Sequence, residues 1–281
     1  MPNLALNHSL TPEEYRLIAG KVYAHSRIRL GGDKQALVTG RLSKRLRELG
    51  LSSFEEYCGL LESPQGNEEL GPLVDLISTN HTNFFREVQH LDFLRDEVLP
   101  ALVPKLVSKR EVFRIWSAAC SSGEEPYTLE IVLSEYARQH GSFPWAVEAS
   151  DISTRILAKA RAGVYAAEHV KMPEPDFLPR YFQKGTGAHE GFYRVKEALR
   201  SQVQYHHLNL LQAEYPVAAN QHVIFCRNVM IYFDTETQQE LVLKLFRQLA
   251  PGGYLIVGHS ESLLGVKHSL HTIKPGIYQK A

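Results

Sequence analysis

An apolar run that gives way to small and then acidic residues is the most informative pattern in this chain. Residues 112–116, V-F-R-I-W, have the length and residue types of a buried strand. Residues 117–123, S-A-A-C-S-S-G, are small enough for a tight turn or a close approach to a ligand. Pro126 then favours a helix from about Tyr127, because its missing N–H costs nothing in a first turn. This order predicts the first unit of a doubly wound α/β sheet, with a ligand at the turn.

Acidic residues in and near this turn restrict the ligand. Glu124 and Glu125 follow the turn, whereas a phosphate favours bare N–H groups without nearby negative charge. The pair therefore favours a ligand with hydroxyls or positive charge, such as a ribose, an amino group or a sulfonium. Asp151 ends a second predicted strand, 145–150, where an acid is well placed to bind ribose hydroxyls. It could equally cap the helix predicted over 153–162.

The remaining pattern extends the α/β domain. Strands are predicted at 222–226 and 254–258, a helix at 235–249, and closing strands near 270–273 and 277–280. Polar residues collect where the predicted strands end, which is the ligand crevice of open α/β sheets. They are Glu125, Asp151, Asn209, Arg227, Asn228 and Tyr232.

Residues 173–207 interrupt the α/β rhythm. Prolines break the helical pattern, and the alternation of residues 192–195 and 202–207 indicates strands of a small antiparallel insertion. The adjacent His206 and His207 have no third ligand at a suitable spacing, so no metal is predicted.

Short helices separated by turns predict a small helical domain over residues 1–77. A capping box at Thr11–Glu14 opens the first helix, and Asp33 is expected to cap the second. Gly71 and Pro72 are expected to open the fourth. A linker over residues 78–90 then leads to the α/β domain, 91–281.

The second helix and its approach are strongly basic. Residues 27–47 hold seven basic side chains and a single acidic one, Asp33. Leu42, Leu46 and Leu49 are expected to face the core. The helix face left to solvent would then carry Arg41, Lys44, Arg45 and Arg47. This face is either simply solvated or a docking surface for an acidic protein or nucleic acid.

The linker is polar and then abruptly aromatic, T-N-H-T-N-F-F-R-E at 79–87. It is either a plain connection with a packed Phe pair, or a segment whose Asn80, Thr82 and Arg86 line the mouth of the ligand site.

The composition argues against several classes of function. The formal net charge is zero, so nothing draws the whole chain to nucleic acid or membrane. Three widely spaced cysteines indicate a reducing compartment, not a disulfide framework or a Cys-based zinc site. The sequence begins without a basic targeting region and has no apolar run of membrane-spanning length. We therefore expect a cytoplasmic chain without membrane insertion, and a monomer by default.

Seven motifs, in order from the linker through the α/β domain, resemble the chemotaxis-receptor glutamate O-methyltransferase (CheR) family. They are T-N-H-T-N-F-F-R-E (79–87), W-S-A-A-C-S-S-G-E-E-P-Y (116–127), A-S-D-I (149–152), R-Y-F-Q-K-G-T-G-A-H-E-G (180–191), N-L-L (209–211), F-C-R-N-V-M-I-Y-F-D (225–234) and G-H-S-E-S (258–262). The family transfers a methyl group from S-adenosylmethionine (SAM) to glutamates of transmembrane chemoreceptors. The products are γ-glutamyl methyl esters and S-adenosylhomocysteine.

The resemblance implies roles for individual residues. Arg86 and Tyr232 would lie at the methyl-transfer site, and the basic helix would face the acidic receptor. The insertion would be the family's β-subdomain, which in some members grips a pentapeptide at the receptor C-terminus. The implied cofactor contacts are Asn80, Thr82, Arg86, Glu125, Asp151, Asn209, Leu210, Arg227 and Asn228.

Two other functions are compatible with the residues. One is a SAM-dependent enzyme acting on another substrate, such as RNA bound through the basic helix. The other is a non-catalytic module that senses the cofactor and docks a receptor. Glutamate methylation suits the residues well, because a glutamate is already ionised at pH 7 and needs no general base.

Overall fold

The structure, a computed structural model, describes residues 9–281. Residues 1–8, where the helical domain and the absence of a targeting signal were predicted, lie outside the described part. The chain divides into two compact units. The helical unit comprises the chain up to Thr79 together with Tyr232–Thr237, and the α/β unit comprises Asn80–Ile231 and Gln238–Ala281. Most of the predicted linker, 78–90, therefore belongs to the α/β unit.

Two helices of the helical unit begin with a side-chain cap. Thr11 and Glu14 form the predicted capping box of the first helix, and Ser53 caps the third. Within the described residues the helices that precede Thr79 are α1 (Pro12–Ser26), α2 (Gln35–Leu49), α3 (Phe54–Glu62) and α4 (Gly66–Ile77).

Two boundary predictions in this unit are wrong. The fourth helix begins at Gly66 and contains Pro72 in its interior, because the buried side chains on both sides of Pro72 hold the helix together. Gly66 packs so closely that a Cβ there would lie 2.5 Å from the Leu61 carbonyl oxygen. Asp33 does not cap α2; it lies in a 3₁₀ turn, Gly32–Lys34, and pairs with Lys34.

The α/β unit contains a large sheet with helices and a separate small sheet, which confirms the predicted fold class. The strands are β1 (Phe113–Ala118), β2 (Trp145–Asp151), β3 (Val164–Ala166), β4 (Phe182–Lys184), β5 (Phe192–Val195), β6 (Val203–His207), β7 (Gln221–Cys226), β8 (Leu249–Val257), β9 (Leu270–Lys274) and β10 (Ile277–Lys280). Among residues 9–281 the large sheet has seven strands, in the order β6-β2-β1-β7-β8-β10-β9.

Strand β1 lies at the centre of this sheet and is parallel to both neighbours, with Trp116 opposite Glu148 on β2 and Ile224 on β7. Its Phe113 and Ile115 are fully buried in the main hydrophobic core. Complete burial of side chains of this size stabilises the fold by about 1.5–3 kcal/mol each. The segments that follow the carboxyl ends of β1, β2 and β7 therefore begin at a well-packed, rigid sheet.

The small sheet differs from the predicted insertion. Its order is β3-β5-β4, with both pairings antiparallel. It thus begins before residue 173, whereas β6, predicted within the insertion, pairs parallel with β2 in the large sheet. Strand β6 has the same alternating pattern as an antiparallel strand because it is an edge strand with one neighbour, which periodicity alone does not distinguish.

The helices after Thr79 are α5 (Val88–Phe93), α6 (Leu99–Lys109), α7 (Glu124–His140), α8 (Thr154–Ala162), α9 (Phe177–Tyr181), α10 (Glu197–Arg200) and α11 (Thr235–Gln248). A π-helical turn, Leu94–Val98, joins α5 to α6. Phe85 and Glu87 have left-handed backbones, so the first of these helices begins only at Val88. Over the part of the chain that is described, no helix is both long and apolar enough to cross a bilayer.

Candidate active site

The turn after β1 has a backbone that only small residues tolerate easily. Ala119, Ser121 and Gly123 have φ values of 64°, 51° and 97°. A Cβ on Gly123 would lie 2.9 Å from the Ala160 Cβ and 3.0 Å from the Tyr165 hydroxyl oxygen. Glycine is therefore required at position 123, which lets α7 begin directly after the turn and presents the first residues of α7 at the carboxyl edge of the sheet.

Asp151, at the end of β2, organises this turn. Its Oδ2 accepts the Ser121 backbone N–H at 2.9 Å, and its Oδ1 accepts that of Ser153 at 2.9 Å. The helix that follows is capped by Ser153, whose hydroxyl accepts the Ile156 N–H. Asp151 is thus buried beside the turn and is not the side chain that caps α8. Each carboxylate oxygen has two lone pairs and can accept more than one hydrogen bond, so the role of Asp151 toward a ribose stays a prediction.

Arg227 ties three segments together at the same edge. Its Nε lies 2.9 Å from Glu125 Oε2 and 3.9 Å from Glu87 Oε2. Its Nη1 donates to the Arg86 carbonyl at 2.8 Å. The Arg227 side chain is only 4% exposed, and the other oxygen of Glu125 accepts the Ser117 hydroxyl at 2.6 Å. Glu125 and Arg227, both predicted cofactor contacts, are therefore brought into one buried ion pair.

Glu87 is a member of this cluster that the sequence reasoning missed. Its carboxylate accepts the Asn228 side-chain amide and the His259 backbone N–H, both at 3.3 Å, and lies 3.3 Å from His90 Nδ1. Burial alone would raise the pKa of Glu87, but Arg227 and the amide of Asn228 hold it below its ordinary value. Burial and the nearby Arg227 lower the pKa of His90 to about 4. Glu87 is therefore a stable anion that orients both Arg227 and Asn228.

Glu87, His90 and His259 each offer a metal-ligating atom within 4.8 Å of the others. The Arg227 guanidinium already lies 3.5 Å from His90 Nδ1 and faces the same carboxylate. A cation would have to displace this positive charge, so the absence of a metal stays our prediction.

A second missed residue, Glu261, fixes the segment after β7. Its carboxylate accepts backbone N–H groups of Asn228 at 2.6 Å, Met230 at 2.7 Å and Gly258 at 2.7 Å. A Cβ on Gly258 would lie 3.0 Å from the Asn228 backbone nitrogen and 2.9 Å from Glu261 Oε2, so this close approach favours glycine. The G-H-S-E-S motif at 258–262 contains both Gly258 and Glu261, but the spacing of the motif did not indicate that they contact Asn228.

Residues of the predicted linker reach the same turn. The Asn80 carbonyl accepts the Ser121 hydroxyl at 3.2 Å, and Thr82 is half-buried. Arg86 donates from Nη1 to the His81 carbonyl at 2.8 Å, while its side chain stays 28% exposed. Phe84 packs edge-on against the rings of Tyr165 and Phe182, at centroid distances of 5.0 Å and 5.3 Å. The segment is thus anchored by Phe84 and keeps Arg86 partly accessible.

Asn209 and Leu210 follow β6. The Asn209 side chain accepts the Leu211 N–H at 2.9 Å, which shapes a local turn. Leu210 is buried, and its carbonyl accepts the hydroxyl of Tyr215. Both residues lie after a strand parallel to β2, and so belong to the same edge of the sheet as Asp151.

Tyr232 belongs to the helical unit by its contacts. Its carbonyl accepts the Arg29 backbone N–H at 2.9 Å. Nearby in this unit, the Tyr23 hydroxyl donates to Asp234 at 2.6 Å and, with the Thr237 backbone N–H, lowers the pKa of Asp234 to about 2. The joint action of Tyr232 and Arg86 at a transfer site stays a prediction.

The basic face of α2 is smaller than expected. Arg41 donates to the Leu76, Ile77 and Ser78 carbonyls at the end of α4. Arg45 forms a paired hydrogen bond with the buried carboxylate of Glu69, at 2.9 Å and 2.6 Å. The expectation that both face solvent is therefore wrong, because orphan carbonyls and a buried carboxylate bind their guanidinium groups.

Lys44 and Arg47 are exposed as predicted, and Leu42 and Leu46 are fully buried. Leu49, expected in the core, is only half-buried because it is the last residue before the helix ends at Gly50.

Comparison with known proteins identifies the family. The description "CheR methyltransferase, SAM binding domain" matches residues 80–278, and "CheR methyltransferase, all-alpha domain" matches residues 13–78. The chain belongs to the CheR methyltransferase family. Chemotaxis protein methyltransferase from Borreliella burgdorferi is similar, with 40% identity over 278 residues that cover 98% of this chain and 96% of the relative. The Escherichia coli K12 protein of that name is 42% identical, covering 90% of this chain and 86% of the relative.

The observed residues fit the SAM expected in a CheR methyltransferase. The turn after β1 is compact and carries no phosphate-binding lysine or arginine at its tip, and Gly123 leaves no room for a larger residue. Asp151 and Glu125 place acidic oxygens at the carboxyl edge of the sheet, and hydroxyl and ammonium groups are donors that such oxygens accept. The resemblance predicted this cofactor, and the family assignment supports it.

Proposed function

We propose that this chain transfers a methyl group from SAM to glutamate side chains of chemoreceptors, forming γ-glutamyl methyl esters and S-adenosylhomocysteine. The observation that carries the proposal is the acidic edge built by Asp151 and Glu125 beside a buried Arg227. It suits a ligand that combines ribose hydroxyls with an ammonium and a sulfonium, and it disfavours a phosphate ligand.

The proposed division of labour follows the positions of the residues. Asp151 and Asn209 would bind the nucleoside, Glu125 and Arg227 the charged amino-acid end, and Asn228 the region between them. Asn80, Thr82 and Leu210 would complete the walls. The cofactor supplies a methyl group activated by a positively charged sulfur. The chain's own contribution is to hold the acceptor in line and to exclude water.

Arg86 is proposed to capture the acceptor carboxylate. A guanidinium has five N–H donors; Arg86 donates from Nη1 to the His81 carbonyl, and its Nε lies 4.0 Å from Glu87 Oε1. Its partial exposure leaves it accessible to a side chain from another protein. The acceptor glutamate is ionised at neutral pH, with an ordinary pKa of roughly 4.3, so the site needs no general base. Tyr232 is proposed to contribute to the same transfer site.

The proposed partner is the cytoplasmic part of a chemoreceptor. Lys44 and Arg47 are the α2 side chains that remain exposed for an acidic surface, and they replace the four-residue patch expected from the sequence. The small sheet has β3 and β4 as outer strands, which suits addition of a peptide strand such as a receptor C-terminus. We further propose a cytoplasmic monomer that binds no nucleic acid.

Incubation with methyl-labelled SAM and a receptor cytoplasmic fragment tests this function. We expect base-labile label on receptor glutamates, because methyl esters hydrolyse in mild alkali. Label transferred to RNA would favour the other enzyme class. Cofactor and receptor binding without transfer would favour a non-catalytic module. Either outcome would refute the proposal.

Arg86→Ala is expected to lower the rate of methyl transfer by at least about 100-fold, the scale typical of losing one charged donor at a transition state. The Kd for S-adenosylhomocysteine, measured by calorimetry, should change by no more than about threefold. Arg86→Lys serves as the matched control and should retain part of the rate. Wild-type turnover in Arg86→Ala would contradict the role of Arg86.

Asp151→Asn is expected to weaken cofactor binding by about 10–100-fold, because an amide keeps the size of the side chain but loses a charged acceptor. Calorimetry with SAM measures the change. Ser153→Ala, which removes the α8 cap without touching the proposed ribose contact, is the control and should bind SAM normally. Equal affinities for Asp151→Asn and wild type would remove Asp151 from the cofactor site.

A further inference from the structure

The carboxylate of Glu87 faces the end of the Asn228 side chain. Its Oε1 accepts the Asn228 amide NH2 group at 3.3 Å, and its Oε2 accepts the His259 backbone N–H at 3.3 Å. Burial would raise the pKa of Glu87, but Arg227 and the Asn228 amide hold it below its ordinary value, so Glu87 is an anion at neutral pH. An ionised carboxylate has no hydrogen-bond donor, so only the NH2 group of an amide can face it. Glu87 therefore fixes which way round the Asn228 amide lies.

The amide oxygen of Asn228 has no partner in this arrangement. Oδ1 accepts no hydrogen bond from residues 9–281, and it is not closed off from solvent. The backbone N–H of Asn228 is bound separately, by Glu261 at 2.6 Å. Asn228 thus presents an accessible acceptor atom just after β7, beside Arg227. The partial negative charge of this oxygen would attract a donor or a positively charged group of a ligand.

The backbone on both sides of this contact is unusual. Phe85, Glu87 and Asn228 have left-handed φ values of 54°, 55° and 58°. Asparagine adopts this conformation more readily than most residues, whereas phenylalanine and glutamate adopt it rarely. Hydrogen bonds support both of the latter: the Phe85 N–H donates to Thr128 Oγ1 at 3.2 Å, and the Glu87 carbonyl accepts the His90 N–H at 3.0 Å. A strained backbone that its surroundings hold in place is typical of functional sites, which supports a role for Glu87 beyond stability.

We propose that Glu87 is a positioning residue of the methyl-transfer site, which fixes Asn228 so that it offers an oxygen, and not an NH2 group, to the positively charged sulfur of SAM. This inference rests on the proposed function, in which Asn228 binds the part of the cofactor between the nucleoside and the amino-acid end. Glu87 itself would not touch the cofactor. Without the charge of Glu87 the amide could lie either way round, and an NH2 group, with its partial positive charge, would repel a sulfonium.

Three ligands that differ in charge at one place test this role. SAM carries a sulfonium, the SAM analogue sinefungin carries a protonated amine at the same place, and S-adenosylhomocysteine carries an uncharged thioether. Calorimetry with the full chain at neutral pH measures the affinity for each. Glu87→Gln keeps the size of the side chain and removes its charge. We expect it to weaken SAM and sinefungin by at least about tenfold, and S-adenosylhomocysteine by no more than about threefold.

Two further variants separate positioning from a merely structural role, which would weaken all three ligands alike. Glu87→Asp keeps the charge and should hold the ratio of the SAM and S-adenosylhomocysteine affinities within about threefold of the wild-type ratio. Glu174→Gln, which alters an exposed carboxylate in another part of the chain, is the matched control and should bind all three ligands as wild type does. Binding of S-adenosylhomocysteine shows that each variant is folded.

A double-mutant cycle tests whether Glu87 acts through Asn228. Asn228→Gly removes the amide, and glycine tolerates the left-handed backbone at this position. Alone it should weaken SAM more than S-adenosylhomocysteine. Adding Glu87→Gln to Asn228→Gly should then change the ratio of the two affinities by less than about twofold, because the group that Glu87 positions is no longer there.

The outcomes distinguish this inference from the proposed function. The inference is overturned if Glu87→Gln weakens the three ligands equally, if it leaves their affinities unchanged, or if it shifts the ratio in Asn228→Gly as much as in wild type. In each of these cases, a wild type that binds SAM and methylates a receptor fragment leaves the proposed function standing. A wild type that binds no SAM refutes the proposed function and this inference together.

Discussion

The two ends of β2 hold buried carboxylates in opposite circumstances. At the carboxyl end, both oxygens of Asp151 accept backbone N–H groups, and Glu125 forms an ion pair with Arg227 and accepts the Ser117 hydroxyl. At the amino end, one oxygen of Glu130 accepts the Trp145 indole N–H, and the other is buried with no hydrogen-bond partner in the part of the chain that the structure describes. Glu125 and Glu130 belong to the same helix, α7, only five positions apart. The identity of the residue therefore does not decide whether a buried charge is tolerated; the donors aimed at it do.

The pKa directions express the same contrast. In the cluster at the carboxyl end, burial of Glu87 is outweighed by Arg227 and Asn228, so its pKa falls. At the amino end burial of Glu130 prevails over its single hydrogen bond, and its pKa rises to about 7. Glu87 therefore keeps its negative charge to a lower pH than an ordinary glutamate, whereas Glu130 becomes charged only near neutral pH.

Removal of the Arg227 guanidinium should destabilise the cluster at the carboxyl end of β2. Arg227→Ala leaves Glu125 and Glu87 buried without their shared guanidinium, and should lower the free energy of unfolding by about 3–5 kcal/mol. Urea titration of the full chain measures the change. Arg227→Lys, which keeps the charge but not the planar fork, is the control and should lose less. A loss below about 1 kcal/mol for Arg227→Ala would mean that this cluster is not energetically coupled.

Neutralising Glu130 should stabilise the protein by an amount that depends on pH. Because its pKa is raised from 4.5 to about 7 on folding, the folded protein holds this proton more tightly, and stability is lost as pH rises through that window. The free energy of unfolding of Glu130→Gln relative to wild type should therefore increase by about 3 kcal/mol between pH 4.5 and pH 8.

Thermal and urea unfolding across this pH range measure the difference for Glu130→Gln. Titration of His90, whose own pKa is lowered to about 4, is common to both proteins and cancels in the difference. Glu190→Gln, which alters an exposed carboxylate elsewhere, is the control, and its free energy of unfolding should follow that of wild type at every pH. A difference that stays constant with pH would contradict the raised pKa of Glu130.

The helical unit extends the comparison with a smaller expected effect. Glu69 is a buried carboxylate that binds Arg45 and the Tyr57 hydroxyl, whereas Lys44 lies 3.9 Å from the half-exposed Glu48. Arg45→Ala should lower the free energy of unfolding by about 2–3 kcal/mol, less than for Arg227 because Arg45 is partly exposed. Lys44→Ala should cost below about 0.5 kcal/mol. Equal losses in denaturation experiments would contradict the distinction between the two basic residues.

The sequence allowed the α/β architecture to be predicted because strand composition and turn chemistry are local. The turn before α7 and the end of β2 at Asp151 follow from neighbouring residues, whereas the close contacts that require glycine at position 123 come from Ala160 and Tyr165. The placement of β6 did not follow, since pairing with β2 is decided by contacts distant in the chain. The same applies to Pro72, which flanking buried residues accommodate inside α4.

In the candidate site, residue types could be predicted but partners could not. Strand ends and motifs indicated Glu125, Arg227 and Asn228, yet nothing local indicated that Arg227 would bind Glu125 or that Glu87 would bind Asn228. These contacts join segments more than 100 residues apart. Charge counting failed on α2 for the same reason, because the carbonyls that bind Arg41 come from another helix.

The carboxylate of Glu261 also couples the ends of two strands. It accepts the backbone N–H groups of Asn228 and Met230 after β7 and of Gly258 after β8. Neither segment can move away without breaking a charge-assisted hydrogen bond that the other segment shares. The three amides should therefore become accessible to hydrogen exchange together, as a single opening unit.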